Sequence, residues 1–207
     1  MTVLDVILLI VIIAITFGVY YFFIRERDES EASSRKAKNL SDSKKSNKAL
    51  GAARRFAALH QYQVIAPAQL AKDGKFADLD FIIVGWFGLL CVKCIGLGGH
   101  IYGGSDDEMW LQVDGEKRIS FKNPIREAEA DTRLVRDTLL SAGMHGVSVE
   151  TVCVFTNKDA NLAIPRGTGH YTLKEFKSLL DKSKYEQDKG IDVAKTADAV
   201  KKWVCKK

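Results

Sequence analysis

At 207 residues, 46% of them hydrophobic and 28% charged, the chain is neither disordered, collagenous nor low in complexity. Four Cys in this length are too few for a scaffold built on disulfides. The net charge of +5, from 31 basic and 26 acidic residues, is mild and falls short of the concentrated basic face of a dedicated nucleic-acid protein.

The first element is an apolar run from Val6 to Ile24, nineteen residues without a charge. As a helix it is roughly 28 Å long, enough for a ~30 Å hydrocarbon core. Tyr20, Tyr21, Phe22 and Phe23 close it where aromatic rings favour the headgroup boundary. A cleaved signal peptide would carry Lys or Arg ahead of a shorter run and a small-residue cleavage site behind it; here the flanks are MTVLD and Arg25. The reading is a transmembrane anchor over residues 1–24. No Lys or Arg precedes the span and many follow it, so the short N-terminus is expected outside and the rest in the cytoplasm, with reduced thiols.

Residues 25–48 read as a charged linker without apolar periodicity. Its second part holds Arg35, Lys36, Lys38, Lys44, Lys45 and Lys48 against Asp42 alone. That stretch suits either a spacer or a segment lying on anionic lipid.

Residues 49–207 are long enough for one core of their own. Ala49–Tyr62 has helical character. Phe76–Trp86, Gly88–Ile95 and His100–Gly103 read as strands with Gly-rich breaks, and Asp114-Gly115 joins Met109–Val113 to Arg118–Lys122 as a hairpin. Asn123-Pro124 opens a helix to about Ala142, with Asn as cap and Pro in the first turn. Val147–Phe155 is a buried strand, Thr172 and Glu175 form a capping box, and Asp192–Cys205 is an amphipathic helix. This order predicts an α/β fold with a mixed central sheet flanked by helices.

The motifs in that order resemble the nuclease-related domain (NERD) family, of the PD-(D/E)xK nuclease-like superfamily, in a membrane-anchored bacterial form. The resemblance rests on Asp80 in LDFIIV, Gly88, Gly99-His100-Ile101-Tyr102-Gly103, Trp110, Asn123-Pro124-Ile125 and the VCVF run ending at Phe155, and covers roughly Gly51 to Leu180. It implies a restriction-endonuclease-like fold. It also implies a site in which an Asp and a Glu on adjacent strands hold a divalent metal while a Lys two residues on positions the attacking water. Counted without gaps from Asp80, the Glu position is Lys93 and the Lys position Ile95; shifted by two, they are Cys91 and Lys93. Neither register supplies the carboxylate. The stretch Gly51–Arg55 lacks the acid that the family's first helix brings, and Glu127 stands where the family tends to show Gln. Asp80, Lys93 and Ile95 thus read as the remnant of a dismantled catalytic site, with Lys93 facing Asp80 as a counter-charge in place of the metal.

Other constellations read as structural. Cys91 and Cys94 have CxxC spacing but lie in a strand, where i and i+3 face opposite ways. The Gly96–Gly99 run leads into a strand rather than a helix, unlike a phosphate cradle. Asp106-Asp107-Glu108 reads as a solvated acidic run, and His60, His100, His145 and His170 have no triad partner at a recognisable spacing. Arg54, Arg55 and Arg126, with Arg118, Lys122, Arg133 and Arg136, are candidates for a phosphate-binding patch.

The expectation is therefore a single-pass membrane protein whose NERD-like domain acts by binding. Its partner is DNA, RNA or another protein, it carries no cofactor, and its oligomeric state is left open. The alternatives are a Mg²⁺-dependent nuclease with a displaced carboxylate, such as Asp78 beside Asp80, and a membrane-localised protein-binding scaffold.

Overall fold

A computed structural model describes residues 47–205. The expected span Val6–Ile24 and all but the end of the linker lie outside them. Among the described residues no helix is long and apolar enough to cross a membrane.

Helix α1 covers residues 47–60. The strands that follow are β1 (Gln63–Ile65), β2 (Ala68–Lys72), β3 (Lys75–Leu79), β4 (Phe81–Gly85) and β5 (Gly88–Ile95). Then come β6 (Gly99–Tyr102), β7 (Met109–Asp114), β8 (Lys117–Lys122), helix α2 (Pro124–Ser141) and β9 (Val149–Phe155). The chain ends with β10 (Ala160–Ala163), β11 (His170–Thr172), α3 (Leu173–Leu180) and α4 (Val193–Lys201).

Five strands make the main sheet, in the order β1-β4-β5-β9-β11. The β1, β4 and β5 pairings are antiparallel, whereas β9 runs parallel to both β5 and β11. A parallel pair needs a long crossover, and the segment from β6 through α2 provides it. Both faces are covered. Phe81, Ile83, Leu90 and Val92 pack with Ala53, Phe56 and Ala57 of α1 and with Phe176, Leu179 and Leu180 of α3. Ile82, Val84, Leu89 and Cys91 pack with Leu134, Val135 and Leu139 of α2 and with Ala197 and Val200 of α4. Such double burial explains why β4 and β5 read as continuous apolar runs.

The meander does not join this sheet. A second, four-stranded sheet has the order β10-β6-β7-β8, with β10 parallel to β6 and the other pairs antiparallel. It carries its own core of Ile101, Trp110, Phe155 and Ile164. The single central sheet expected from the sequence is therefore two mixed sheets. The cause is that β9 occupies the edge of β5 that a continuing meander would need.

Two further corrections concern boundaries. The stretch read as one strand over 76–86 is two, broken at Asp80: β3 pairs only with β2 in a hairpin, and β4 enters the main sheet. The last helix stops at Lys201, after which Val204 bridges to Leu70 and the Cys205 N–H donates to the Gln69 carbonyl.

The family-like glycines have local physical reasons. Gly88 has φ +115°, and a Cβ there would lie 2.2 Å from the Ser148 carbonyl oxygen, where β5 meets the entry to β9. A Cβ on Gly103 would lie 2.2 Å from the Trp110 ring. Between Gly99 and Gly103, Ile101 is fully buried, so this motif builds a core.

Candidate functional site at the end of the main sheet

The residues of the expected site converge where β4 begins and β5 ends. The Asp80 N–H donates to the Val92 carbonyl at 3.0 Å, and its carboxylate accepts the Cys94 N–H at 2.7 Å. Asp80 thereby closes the β4–β5 ladder with its side chain. Lys93 stands on the face of β5 that carries Cys91, the face covered by α2.

Helix α2 arrives at this end through its first turns. Asn123 caps it, its Oδ1 accepting the Ile125 N–H at 3.0 Å, and Pro124 occupies the first turn. The Asn123 amide also donates to the carbonyls of Gly104, Ser105 and Asp107, so one buried side chain both starts the helix and holds the acidic loop against it. That loop is exposed, as expected, and its Asp107 carboxylate also accepts the Gly104 N–H at 2.6 Å.

From α2, Glu127 and Asp131 reach Lys93. The ammonium lies 3.4 Å from Asp131 and 3.7 Å from Glu127. Side-chain exposure is 19% for Lys93 and 12% for Asp131, so the pair is largely shielded, while Glu127 is 43% exposed. Burial by itself pushes the Lys93 pKa down, but Asp131, Glu127 and Asp78 outweigh it and hold it above the ordinary lysine value. The ammonium is therefore permanently charged near neutrality. Asp131 and Glu127 of α2 and Asp78 of β3 thus act on the Lys93 charge, on the same strand end as Asp80.

The remaining candidates disperse. Ile95 packs against the second core, among Trp110 and Phe155, and offers no charge. Asp78 is on β3, where it accepts a hydrogen bond from Gln69 at 2.9 Å, so it and Asp80 do not share one strand. Arg54 and Arg55 are exposed on α1, on the opposite side of the main sheet from α2 and Arg126. The cysteines are structural by geometry. Cys91 and Cys94 face different cores, and burial pushes the Cys91 and Cys153 thiols up to about 12.

The sequence reading missed Asp131. Its signal was present: positions 124, 128, 131, 135 and 139 form the buried stripe of α2, and a carboxylate in such a stripe needs a partner.

Among the described residues, no three Asp, Glu, His or Cys side chains converge as a metal-ligand set. The donor set does not fit a resident divalent ion, because the carboxylates of α2 already surround an ammonium.

A family model described as nuclease-related domain matches residues 38–156, more than half of the chain. The matched segment ends just past β9 and leaves out β10, β11, α3 and α4. No curated protein and no solved structure matches the chain.

Proposed function

The chain belongs to the nuclease-related domain family, and from that premise we propose that its domain binds nucleic acid without cutting it, in a nuclease-like fold whose metal position is filled by a lysine. One observation carries this reading. Lys93 stands at the end of β5 with its ammonium between Glu127 and Asp131, so the positive charge that a divalent ion would bring is part of the chain. Cleavage of a phosphodiester by the metal route needs an ion that polarises the phosphate and lowers the pKa of its bound water. A fixed ammonium attracts a phosphate but does not coordinate a water and lower its pKa.

A second reading is favoured by the same carboxylates. A Mg²⁺-dependent nuclease would need Glu127 and Asp131, which reach the site from α2, to exchange the Lys93 ammonium for the ion. One assay separates the two. The full chain, in mild detergent, is incubated with labelled single-stranded and duplex oligonucleotides and Mg²⁺, at low and moderate salt. Binding that weakens as salt rises, with intact oligonucleotide, supports the first reading. Mg²⁺-dependent cleavage lost in Asp80→Ala installs the second. No binding at low salt leaves a protein-binding scaffold.

The proposal includes location. The uncharged run Val6–Ile24, followed by basic residues from Arg25 onward, supports a single span with the domain in the cytoplasm. Recovery in the membrane fraction after alkaline extraction is the expected result; release into the supernatant would remove the span from the account.

A further inference from the structure

The outer face of the four-stranded sheet has no helix or strand packed on it among the residues assigned to the three cores, and its composition is unusual. The registers place side chains in rows across the strands. One row is Asn161, His100, Val113 and Arg118; the next is Ala163, Tyr102, Leu111 and Ser120; a third pairs Met109 with Lys122. The opposite face carries Ile101, Trp110 and Gln112, all buried. On the outer face, His100, Tyr102, Met109, Arg118 and Lys122 are exposed, with Tyr102 at 43% and Met109 at 50%.

Two features of this face point to one kind of partner. The His100 and Tyr102 rings lie nearly parallel, 24° apart with centroids 6.3 Å from each other. They form a short aromatic ledge along β6. Every charged residue in the three rows is basic, and no carboxylate projects from them. Flat rings flanked by fixed cations match a strand whose bases are free to stack and whose phosphates are negative. A duplex keeps its bases stacked on each other and offers such rings nothing. An acidic peptide would satisfy the cations but leave the aromatic ledge unused.

The face also leads somewhere. Met109 and Lys122, in its last row, line a groove of about 380 Å³ with Asn123, Arg126 and Glu127. Glu127 is a partner of Lys93, so the groove runs from the ledge toward the site at the end of the main sheet.

We propose that the outer face of the β10-β6-β7-β8 sheet is a binding platform for single-stranded nucleic acid, with His100 and Tyr102 stacking on bases and Arg118 and Lys122 meeting phosphates. This rests on the nucleic-acid reading above and specifies its ligand class and surface.

The test is fluorescence anisotropy on the full chain with a labelled ten-nucleotide thymidine strand and with a duplex of the same length, over a salt series. Wild type is expected to bind the single strand at least tenfold more tightly than the duplex. The double variant His100→Ala/Tyr102→Ala should lose about tenfold or more in affinity, because stacking on an aromatic ring contributes roughly 1–3 kcal/mol per base. Tyr102→Phe, which keeps the ring, should bind like wild type. Arg118→Gln and Lys122→Gln should each reduce the salt dependence by about one unit of slope. All four side chains are exposed, so unchanged thermal midpoints are expected and would exclude misfolding as the cause. If wild type binds nucleic acid and the double variant binds equally well, the platform is overturned while the binding function survives. A duplex bound as tightly as the single strand overturns it too. If wild type binds neither, both fall, and the face is better assigned to a protein partner.

Discussion

The two sheets of this domain treat solvent in opposite ways. The main sheet is sealed by α1 and α3 on one face and by α2 and α4 on the other, so β4 is buried along its whole length. The smaller sheet buries one face on Trp110 and Phe155 and leaves the other open. A charge in the first is therefore costly and must be matched, as Lys93 is by Asp131 and Glu127. A charge in the second costs little and is free to serve a partner. The positions that resemble the family's site lie at the end of the sealed sheet, whereas the platform proposed above lies on the open one. On the function proposed above, losing cleavage and keeping binding need not conflict, because the family-like site and the platform lie on different strands.

The sharpest way to break this contrast is to disturb the one buried face of the open sheet. Gly103→Ala would place a methyl group 2.2 Å from the Trp110 ring, which is itself buried and donates a hydrogen bond to the Gly104 carbonyl. Overpacking of this kind should cost about 3 kcal/mol. In a domain of this size the melting temperature should fall by roughly 6–12 °C. Tyr102→Ala, one residue away on the outer face, should change it hardly at all. Equal losses for the two would mean that the outer face is packed against something.

The next test concerns the sealed sheet. Lys93→Met leaves Asp131 without its cation in a shielded position, and should cost about 1–3 kcal/mol by thermal or urea unfolding. Adding Asp131→Asn should recover part of that loss, giving a non-additive double-mutant cycle. An unchanged midpoint for Lys93→Met would remove the internal-cation account. The sign with pH is fixed. Because the Lys93 pKa is raised in the folded state, its contribution is complete below the ordinary lysine value and is lost only as pH rises through the higher folded one. Between pH 6 and 9 the Lys93 ammonium should add no slope.

These two variants also show how much of the molecule could be read in advance. The Asn123-Pro124 cap, the Thr172–Glu175 capping box and the opposed directions of Cys91 and Cys94 follow from local rules, and the structure bears them out. The break at Asp80 did not follow. No Gly or Pro marks it, and the apolar pattern runs on from Leu79 to Phe81, so one strand was the natural reading. The division into two sheets was equally hidden, since it depends on β9 taking the free edge of β5 from about 60 residues away. At the site, Lys93 and Glu127 were visible as departures from a motif. Asp131 showed only as a carboxylate in the buried stripe of α2, and its partner, Lys93, is reached only when α2 docks on β5.

The smallest effect expected lies where the two sheets meet. His170, on β11 of the main sheet, packs edge-on to Trp110 of the open one, with ring centroids 6.5 Å apart, and its Nδ1 lies 2.6 Å from the Thr168 hydroxyl. Burial lowers its pKa from the ordinary histidine value, and Glu175 opposes this only in part. The unfolded chain therefore takes up a proton more readily than the folded one. Stability is complete above the ordinary value near 6.5 and declines as pH falls below it toward the folded value. Glu175 adds a separate decline at lower pH. The Thr172 N–H holds its carboxylate below the ordinary glutamate value of 4.5, so its contribution is present above that value and lost beneath it. Melting temperatures of wild type and His170→Gln between pH 7.5 and 3.5 should separate the two windows. From pH 7.5 to 5 wild type should lose stability while the variant stays nearly flat, and both should fall together below about pH 4.5. A variant that kept the wild-type slope above pH 5 would place the acid sensitivity elsewhere and leave the joint between the sheets indifferent to protonation.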